Sequence, residues 1–351
     1  MPTARWVLAL LAVLALLAAA CGDDDGGESD AAPATPAADS ADDDADAADP
    51  GNADAADEGA EDGAADEGTD ELAADAEATD FPVTIESAGG TWTLDAQPQR
   101  IVSLSPMATE VLFAMGAGDQ VVAVDAFSNY PAEAPVTDLS GFDPNLEAIT
   151  AFEPDLVVIV NDANDLIAGL TAVDIPVFVS EAPADIEAGY AEIAELGVAV
   201  GRVAETAELV ATMRTEIDAA LAEAPEVPVR IYHELDETFY SASSFGFVGA
   251  VYEELGTENI ADAGDPDETG FPQLTEEYIV EADPELIVIT NQVAYTPDDV
   301  AGRPGWEQIS AVAAGNIVVV DADVASRWGP RLPEFISAVA AALASVETTV
   351  S

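Results

Sequence analysis

The sequence contains no lysine, and its eight basic residues are all arginine. Against them stand 70 Asp and Glu residues, so the formal net charge of the 351-residue chain is −62. A polyanion of this size repels nucleic acid and acidic lipid surfaces, and the composition therefore argues against both as direct partners. A lysine-free acidic surface is favoured in concentrated salt, because salt screens the repulsion among carboxylates.

Cysteine and histidine occur once each, as Cys21 and His233. A single cysteine excludes a disulfide framework within the chain. Direct capture of a metal ion needs several His and carboxylate ligands together, so one histidine argues against a metal site. As a general base, His233 would need a nucleophile and an orienting partner, and no nucleophile elbow or P-loop accompanies it. We expect a structural histidine on a strand, no cofactor and no enzymatic activity.

The first 21 residues have the pattern of a signal peptide. One arginine precedes fifteen apolar residues, from Trp6 to Ala20, and Cys21 follows them. Fifteen helical residues span about 22 Å, which is less than the roughly 30 Å hydrocarbon core of a membrane. The segment AAAC resembles the lipobox of bacterial lipoproteins, although Ala18 stands where leucine is commonest. The resemblance implies that Cys21 is acylated; a plain secretory signal with an incidental cysteine is the alternative.

Residues 22–80 are predicted to be disordered. They hold 23 Asp and Glu, no basic residue and almost no bulky apolar side chain. Such a segment cannot bury enough apolar surface to offset the entropy of ordering. We interpret it as a flexible tether of about 40–45 Å between a lipid anchor and a soluble body. Residues 81–351 form that body and hold 47 acidic residues and seven arginines.

The body repeats itself at an offset of 130 residues. Residues 146–160 (LEAITAFEPDLVVIV) align with residues 276–290 (EEYIVEADPELIVIT), and six of the fifteen positions are identical. The same offset aligns Arg100 with Arg230. Each copy is typical of a short helix, a turn and a parallel strand that is buried on both faces. The repeat therefore predicts an α/β fold with two similar lobes, each built on a mostly parallel sheet.

The longest helical pattern lies between the two copies, at residues 203–224. Apolar residues recur along it at steps of three and four, and Pro225 ends it. A helix of this length spans about 33 Å and is predicted to connect the lobes rigidly; an ordinary surface helix of the first lobe is the alternative. The predicted domains are the first lobe at 81–184, the linking helical segment at 185–224 and the second lobe at 225–351.

Four segments, in this order, resemble one protein family. They are RIVSLSPMATEVLFAMGAGDQVVAV from Arg100, SNYP from Ser128, FDPNLEAITAFEPDLVVI from Phe142 and LTEEYIVEADPELIVIT from Leu274. They are similar to the substrate-binding lipoproteins of ABC importers for iron–siderophores, haem and vitamin B12, periplasmic-binding proteins whose two lobes are joined by one long helix. The resemblance covers about residues 95–345. It implies that a bulky chelate binds between the lobes with modest closure.

The repeat carries one glutamate at the same place in each copy, Glu147 and Glu277. The resemblance implies that these residues lie on the outer rims of the lobes and pair with arginines of the membrane permease, with the adjacent Glu276 as a possible substitute. Such pairs fix the docking orientation more than the affinity. The alternative is that each acid only complements a helix dipole, which contributes about 0.3–1 kcal/mol.

Two of the scarce arginines, Arg327 and Arg331, lie four residues apart in one loop. Their forked donors suit carboxylate or phosphate groups, so the pair suggests an anionic target. Internal pairing with Asp321 or Asp323 is the alternative. The resemblance implies that this loop reaches into the cleft with Asp323 and Arg327, which favours contact with the ligand.

Aromatic residues on the predicted cleft loops are the remaining candidates for ligand contact. They are Tyr130, Phe142, Tyr240, Phe271 and Trp328. Flat, rigid rings pack a corrin, a porphyrin or a catecholate at low entropic cost. For each of them a place in the core is the alternative.

We therefore predict a monomeric, lipid-anchored solute-binding protein outside the cytoplasm that delivers an iron(III)–siderophore-type complex to an ABC importer. Cobalamin and haem are the alternative ligands: the arginines favour an acidic chelate over cobalamin, whereas haem carboxylates would satisfy them equally. A secreted enzyme and a structural or adhesive surface protein are the alternatives from other functional classes.

Overall fold

A computed structural model describes residues 80–225 and 227–350, with side chains up to Val346. The predicted signal segment, Cys21 and the acidic tether before Asp80 lie outside the described residues. Among the described helices, none is both long and apolar enough to cross a membrane.

The first lobe contains four short parallel strands and an antiparallel hairpin. The hairpin pairs β1 (Val83–Ser87) with β2 (Gly90–Leu94), and the sheet contains β3 (Ile101–Leu104), β4 (Val121–Val124), β5 (Leu156–Ile159) and β6 (Val177–Val179) in the order β4-β3-β5-β6. The helices are α1 (Pro106–Ala114), α2 (Leu146–Thr150), α3 (Leu166–Thr171) and α4 (Ile186–Val200). Helix α5 (Val203–Leu221) then leads to the second lobe.

The second lobe has the same strand order. Its strands are β7 (Arg230–Glu234), β8 (Glu258–Asn259), β9 (Leu286–Thr290) and β10 (Ile317–Val320), all parallel and arranged β8-β7-β9-β10. The helices are α6 (Phe247–Glu254), α7 (Glu276–Ala282), α8 (Pro297–Ala301), α9 (Ser310–Ala314), α10 (Ala322–Ala325) and α11 (Leu332–Val350). The predicted α/β fold with two similar lobes is confirmed.

Alternate residues of the central strands enter different hydrophobic cores. In β5, Leu156 and Val158 belong to a central core, whereas Val157 and Ile159 belong to an outer core shared with α2 and α3. Strand β9 is divided in the same way between the central core and an outer core of the second lobe. Because successive side chains of a strand point to opposite faces, both faces of each sheet are covered, and the strands need no polar alternation.

The arginine that begins each copy of the repeat ties two strands together. Arg100 Nε donates to Phe152 O and Glu153 O, each at 3.0 Å. Arg230 Nε donates to Asp283 O at 2.8 Å. Glu153 and Asp283 occupy equivalent turns with positive φ of 50° and 48°. Arg100 therefore holds the start of β3 against the turn before its neighbour β5, and Arg230 holds the start of β7 against the turn before its neighbour β9, which explains why both halves of the body retain the arginine.

The connecting helix α5 belongs to a layer of helices that contacts both lobes. It begins at Val203, as predicted, and ends at Leu221, three residues earlier than the predicted end. It packs against α4 on one side and against the closing helix α11 on the other. Met213 and Ile217 of α5 are buried in the central core, which also contains residues from both sheets. The stiffness of α5 as a connection stays a prediction.

One carboxyl group is largely buried in this layer. Glu192 of α4 accepts hydrogen bonds from Ser180 Oγ and, at 3.4 Å, from Trp328 Nε1 of the second lobe. The Trp328 ring packs edge-to-face with Phe247, with ring centroids 6.1 Å apart. Burial raises the pKa of Glu192 to about 7, although both hydrogen bonds oppose the shift. The group is therefore mainly protonated in mildly acidic solution.

The distribution of charge predicts a salt-dependent stability. Each of the seven arginines from Arg100 to Arg331 already contacts a carboxylate or a carbonyl oxygen, so most of the acidic side chains have no cation near them. We expect the free energy of unfolding of the full chain to rise between about 0.1 M and 1 M NaCl, as the Debye length falls from about 10 Å to about 3 Å. Circular dichroism during thermal unfolding measures this, with sucrose as the control that does not screen charge. A stability that rises with sucrose but not with NaCl would contradict the expectation.

Glu192 predicts a pH-dependent effect of a single substitution. The folded state binds a proton on Glu192 up to about pH 7, whereas the unfolded chain loses it near the ordinary pKa of 4.5. The wild type therefore loses stability as the pH rises between these values. Glu192→Gln retains an oxygen acceptor and cannot ionise, so we expect it to stabilise the protein by about 1–2 kcal/mol at pH 8 and hardly at pH 5.

Urea unfolding at the two pH values measures this effect, and Glu216→Gln, at an exposed position of the neighbouring helix α5, is the matched control. Equal changes in stability at pH 5 and pH 8 would show that the ionisation of Glu192 plays no part.

Candidate ligand-binding site

The loops that follow the parallel strands bring the two lobes into contact. The carboxyl ends of parallel strands lie at one edge of a sheet, which is where α/β folds place their ligands. In the first lobe α1 follows β3, and residues 125–145 follow β4. In the second lobe residues 321–331 follow β10. Side chains from these three segments meet directly, and they define the candidate site.

Four charged residues form the centre of this contact, and we call them the inter-lobe quartet: Glu110, Asp323, Arg327 and Arg331. Arg327 Nη1 donates to Glu110 Oε1 at 2.6 Å. Arg331 donates to the same oxygen through Nη2 at 2.6 Å and to Oε2 through Nε at 2.8 Å. Arg327 Nη2 lies 2.9 Å from Asp323 Oδ1. The side chain of Glu110, which α1 contributes from the first lobe, is only 1% exposed.

The loop after β4 adds neutral contacts to the quartet. Asn129 Oδ1 accepts from Arg327 Nη1 at 3.0 Å, and Asn129 Nδ2 donates to Asp323 Oδ2 at 2.8 Å. The Arg331 guanidinium lies over the Tyr130 ring, 4.3 Å from its centroid. Every one of these contacts joins the first lobe to the second. A cation over an aromatic face is attracted by the ring's quadrupole, so Tyr130 also helps to hold Arg331 in place.

A buried set of hydroxyl groups positions that loop. Ser128 Oγ donates to Asp125 Oδ1 at 2.5 Å, and Thr109 Oγ1 of α1 donates to Ser128 Oγ at 3.0 Å. Burial raises the pKa of Asp125, while the hydrogen bonds from Ser128 and the charge of Arg327 lower it. These hydrogen bonds hold Ser128, and with it the neighbouring Asn129, against α1 and the end of β4.

Glu110 engages both guanidinium groups, so an anionic ligand of Arg327 and Arg331 would have to share them with this carboxylate. The alternative, pairing of Arg327 with Asp323, is confirmed, although the more buried partner comes from the other lobe. A signal for Glu110 exists in the sequence: it is the one charged residue of α1, PMATEVLFA. A charge in an apolar helix is rarely buried unless it is paired. Contact of Asp323, Arg327 and Arg331 with a ligand stays a prediction.

Four aromatic side chains are prominently exposed in the described part of the chain, and all lie on loops that follow strands. Tyr130 is 45% exposed and Phe142 is 54% exposed in the first lobe. Phe245 is 51% exposed and Phe271 is 45% exposed in the second lobe. Exposed large rings on neighbouring loops are typical of binding surfaces. The sequence reasoning missed Phe245, whose signal is a bulky ring in a loop of small residues, SASSFG.

The second-lobe pair is brought together by a close approach of two glycines. Gly246 follows Phe245, Gly270 precedes Phe271, and a Cβ added to Gly270 would lie 3.2 Å from Gly246 Cα. Gly270 also has a φ of 81°, which other residues rarely adopt. A side chain at Gly270 would strain the backbone and crowd Gly246, so this close approach of the two loops favours glycine at position 270.

Two predicted aromatic contacts lie elsewhere. Trp328 is only 9% exposed and belongs to the central core, with its indole N–H directed at Glu192. Trp328 therefore packs in the core in this structure, and its contact with a ligand stays a prediction. Tyr240 is half-buried, and its backbone forms a bridge with Gln273 between the loops after β7 and β8. Its contact with a ligand stays a prediction.

Glu147 and Glu277 occupy equivalent positions in the two lobes. Each is the second residue of a short helix, α2 or α7, capped by the side chain of Asn145 or Thr275. Both glutamates are exposed, and neither has an ion-pair partner among the described residues. Glu276, in contrast, accepts a hydrogen bond from Trp306 within its own lobe. Glu277 is therefore the available carboxylate of that pair.

His233 lies on β7, as predicted, and is 1% exposed. Its Nδ1 lies 2.8 Å from the hydroxyl of Tyr252. Burial lowers the pKa of His233 to about 4, so the ring is neutral at pH 7. Within residues 80–225 and 227–350, no group of three or more His, Cys, Asp or Glu side chains is arranged to hold a metal ion.

Comparisons with known proteins agree with this architecture. A family model for periplasmic binding proteins matches residues 101–324. A cobalamin-binding protein of Halobacterium salinarum is 32% identical over 275 residues, which cover 73% of each chain. An uncharacterised ABC transporter substrate-binding lipoprotein of Bacillus subtilis is 30% identical over 272 residues, covering 74% of this chain and 85% of the relative.

A solved structure shares the fold. The apo form of the periplasmic haem-binding protein RhuT from Roseiflexus sp. RS-1 superposes with a TM-score of 0.64 at 24% identity, covering 71% of this chain and 98% of that one. The family model spans both sheets, and the curated relatives span most of the described fold. The chain therefore belongs to the periplasmic binding protein family, whose members bind solutes outside the cytoplasm and do not transform them.

Proposed function

We propose that this chain is the solute-binding component of an ABC importer, anchored outside the cytoplasm through a lipid on Cys21, and that it carries a corrinoid such as cobalamin between its lobes. The observation that carries the proposal is the set of four exposed aromatic rings, two from each lobe. Like the arginines of the inter-lobe quartet, they lie in segments that follow parallel strands. Rigid rings hold a flat macrocycle at low entropic cost. The name of the cobalamin-binding relative supports a corrin as the ligand.

Iron(III)–siderophore complexes and haem are the alternative ligands. The sequence alone favours an acidic chelate, because it places Arg327 and Arg331 in one loop. Both guanidinium groups are engaged by Glu110, which weakens the case for an acidic chelate over a neutral one. A corrin with uncharged amide side chains fits a site without a free cation better than a ligand with several carboxylates does.

Docking to the permease would use Glu147 and Glu277. Their equivalent positions place one exposed carboxylate on each lobe, at the start of a short helix outside the central core. Two separated charges define an orientation, which a single charge cannot do. The helix-dipole alternative also accounts for an acid in each first turn, but it predicts that replacing these residues leaves transport unchanged.

Binding is tested by titrating the full chain with cyanocobalamin, haemin and a ferric siderophore while its tryptophan fluorescence is recorded. We expect cyanocobalamin to bind with a dissociation constant of about 1 µM or lower and to be released unchanged. Phe142→Ala and Phe271→Ala should each weaken binding about tenfold, because each removes a large contact surface. Val173→Ala, at an equally exposed position after α3, is the matched control. Tighter binding of the siderophore or haemin than of cyanocobalamin would contradict the choice of ligand, and binding of none would contradict the function.

Docking is tested by reversing the charges of Glu147→Lys and Glu277→Lys in cells that depend on uptake of the ligand. We expect uptake to fall at least about tenfold, because repulsion replaces two interfacial charge pairs. The affinity of the purified protein for its ligand should stay within about twofold, because both residues lie on the outer helices. Glu216→Lys on the exposed side of α5 makes the same charge change elsewhere. Weakened ligand binding, or uptake equal to that of the control, would argue against docking through these residues.

A further inference from the structure

The inter-lobe quartet has no net charge. Two carboxylates, Glu110 and Asp323, face two guanidinium groups, Arg327 and Arg331, within 2.6–2.9 Å. The two lobes contribute unequally: the first lobe supplies one carboxylate, and the second lobe supplies both arginines and one carboxylate. Without Glu110 the second lobe alone would present an excess of one positive charge.

One further cation, Arg303, reaches these loops from beyond α8, and it is paired at 2.6 Å with the buried Glu234 at the end of β7. Arg327 and Arg331 are the two basic residues in the segments that follow the eight parallel strands, at 105, 125–145, 160–165, 180–185, 235–246, 260–275, 291–296 and 321–331. The same segments carry exposed carboxylates in both lobes, among them Asp143, Glu181, Asp267 and Asp321. An anion that approached this edge would meet exposed carboxylates, the neutral quartet and the neutral Arg303–Glu234 pair.

We propose that Glu110 is a specificity-determining residue: by neutralising Arg327 and Arg331 from across the lobe interface, it makes the site reject anionic ligands and accept neutral or cationic macrocycles. The inference rests on the proposed function, because it assumes that the ligand binds at this edge. Glu110 acts through the two arginines and is a positioning residue rather than a ligand contact. The Arg331 guanidinium lies over the exposed Tyr130 ring, 4.3 Å from its centroid. The net charge of the quartet therefore affects the surface that a ligand would meet.

A purely structural role for Glu110 makes a different prediction. If the quartet only holds the lobes together, loss of Glu110 should weaken the binding of every ligand by the same factor. If Glu110 sets the charge of the site, its loss should change the ratio of affinities for two ligands that differ only in charge. That ratio is unaffected by a uniform change in lobe stability, and it separates the two roles.

The test compares cyanocobalamin with its monocarboxylic acid, in which one peripheral amide is hydrolysed, by isothermal titration of the full chain. We expect the wild type to prefer the neutral corrin by about tenfold or more, since one extra charge near a partly buried site changes affinity by that order. In Glu110→Gln the preference should fall to within about threefold or reverse. The gain in affinity for the acid should shrink as NaCl is raised, because it is electrostatic.

A second variant makes the same change in charge at a more accessible position. The side chain of Asp323 is 34% exposed, so Asp323→Asn leaves the buried pairs of Glu110 in place. It should reduce the preference for the neutral corrin, and it tests the inference even if Glu110→Gln does not fold. The matched control is Glu187→Gln, which frees Arg214 on the layer of helices and adds one net positive charge away from the site. It should leave the preference unchanged.

The outcomes distinguish this inference from the proposed function. A wild type that binds both corrins equally, or variants that lose affinity for both by the same factor, would overturn the role of Glu110 and leave the corrinoid ligand intact. Haemin and its dimethyl ester provide the same comparison for a porphyrin ring. Failure of the wild type to bind either pair would overturn the proposed function, and the inference with it.

Discussion

The negative charge of Glu110, buried between the lobes, is the constraint on which the site depends. Moving a carboxylate out of water costs several kcal/mol, and an arrangement that buries one must supply matched donors. Here the donors come from the other lobe, through Arg327 and Arg331. The lobes cannot separate at this point without leaving charges unpaired. The relative position of the two sheets at their carboxyl ends therefore depends on the pairing of Glu110.

The two lobes are joined in a second way, through a common hydrophobic core. Strands of both sheets and helices α4, α5, α6 and α11 contribute to it, while each sheet turns its other face to an outer core of its own. One connection between the lobes is therefore apolar and extensive, and the other is ionic and local. Apolar packing tolerates small shifts with gradual cost, whereas a bidentate ion pair is sensitive to distance and angle. The ionic contact is thus suited to defining the geometry of the ligand site.

Scarcity of positive charge explains several features together. Each described arginine is used to tie strands, to pair with a buried carboxylate or to support a helix, so the exposed charges of the described body are almost entirely negative. A surface of this kind attracts a basic partner, and a free cation in the ligand site would be exceptional on it. Attraction for a ligand then comes from apolar contact with the exposed aromatic rings on the loops that follow the strands, and not from charge.

Local signals in the sequence were sufficient for most of the fold. The apolar run of β5 and the proline that follows α5 depend on residues a few positions apart, so their interpretation needs no knowledge of the rest of the chain. The repeat at 130 residues needed only a comparison of the chain with itself, and it predicted two similar α/β lobes; the common strand order came from the structure. The sequence indicated loops for Phe142 and Phe271, but it left open whether each ring lies in the core or on the surface, and the structure shows both exposed.

Tertiary structure alone decided what the charged and aromatic residues of the site contact. Glu110 and Arg327 are 217 residues apart, and in a chain with 70 acidic residues no spacing rule selects one partner for an arginine. Trp328 is one residue from Arg327, yet it belongs to the core because α4 and α6 cover that side of the loop. The sequence by itself determined which segments form strands and helices and that they form two lobes, since these depend on local pattern. Burial and pairing depend on what lies opposite in space, and only the packed structure brings those groups together.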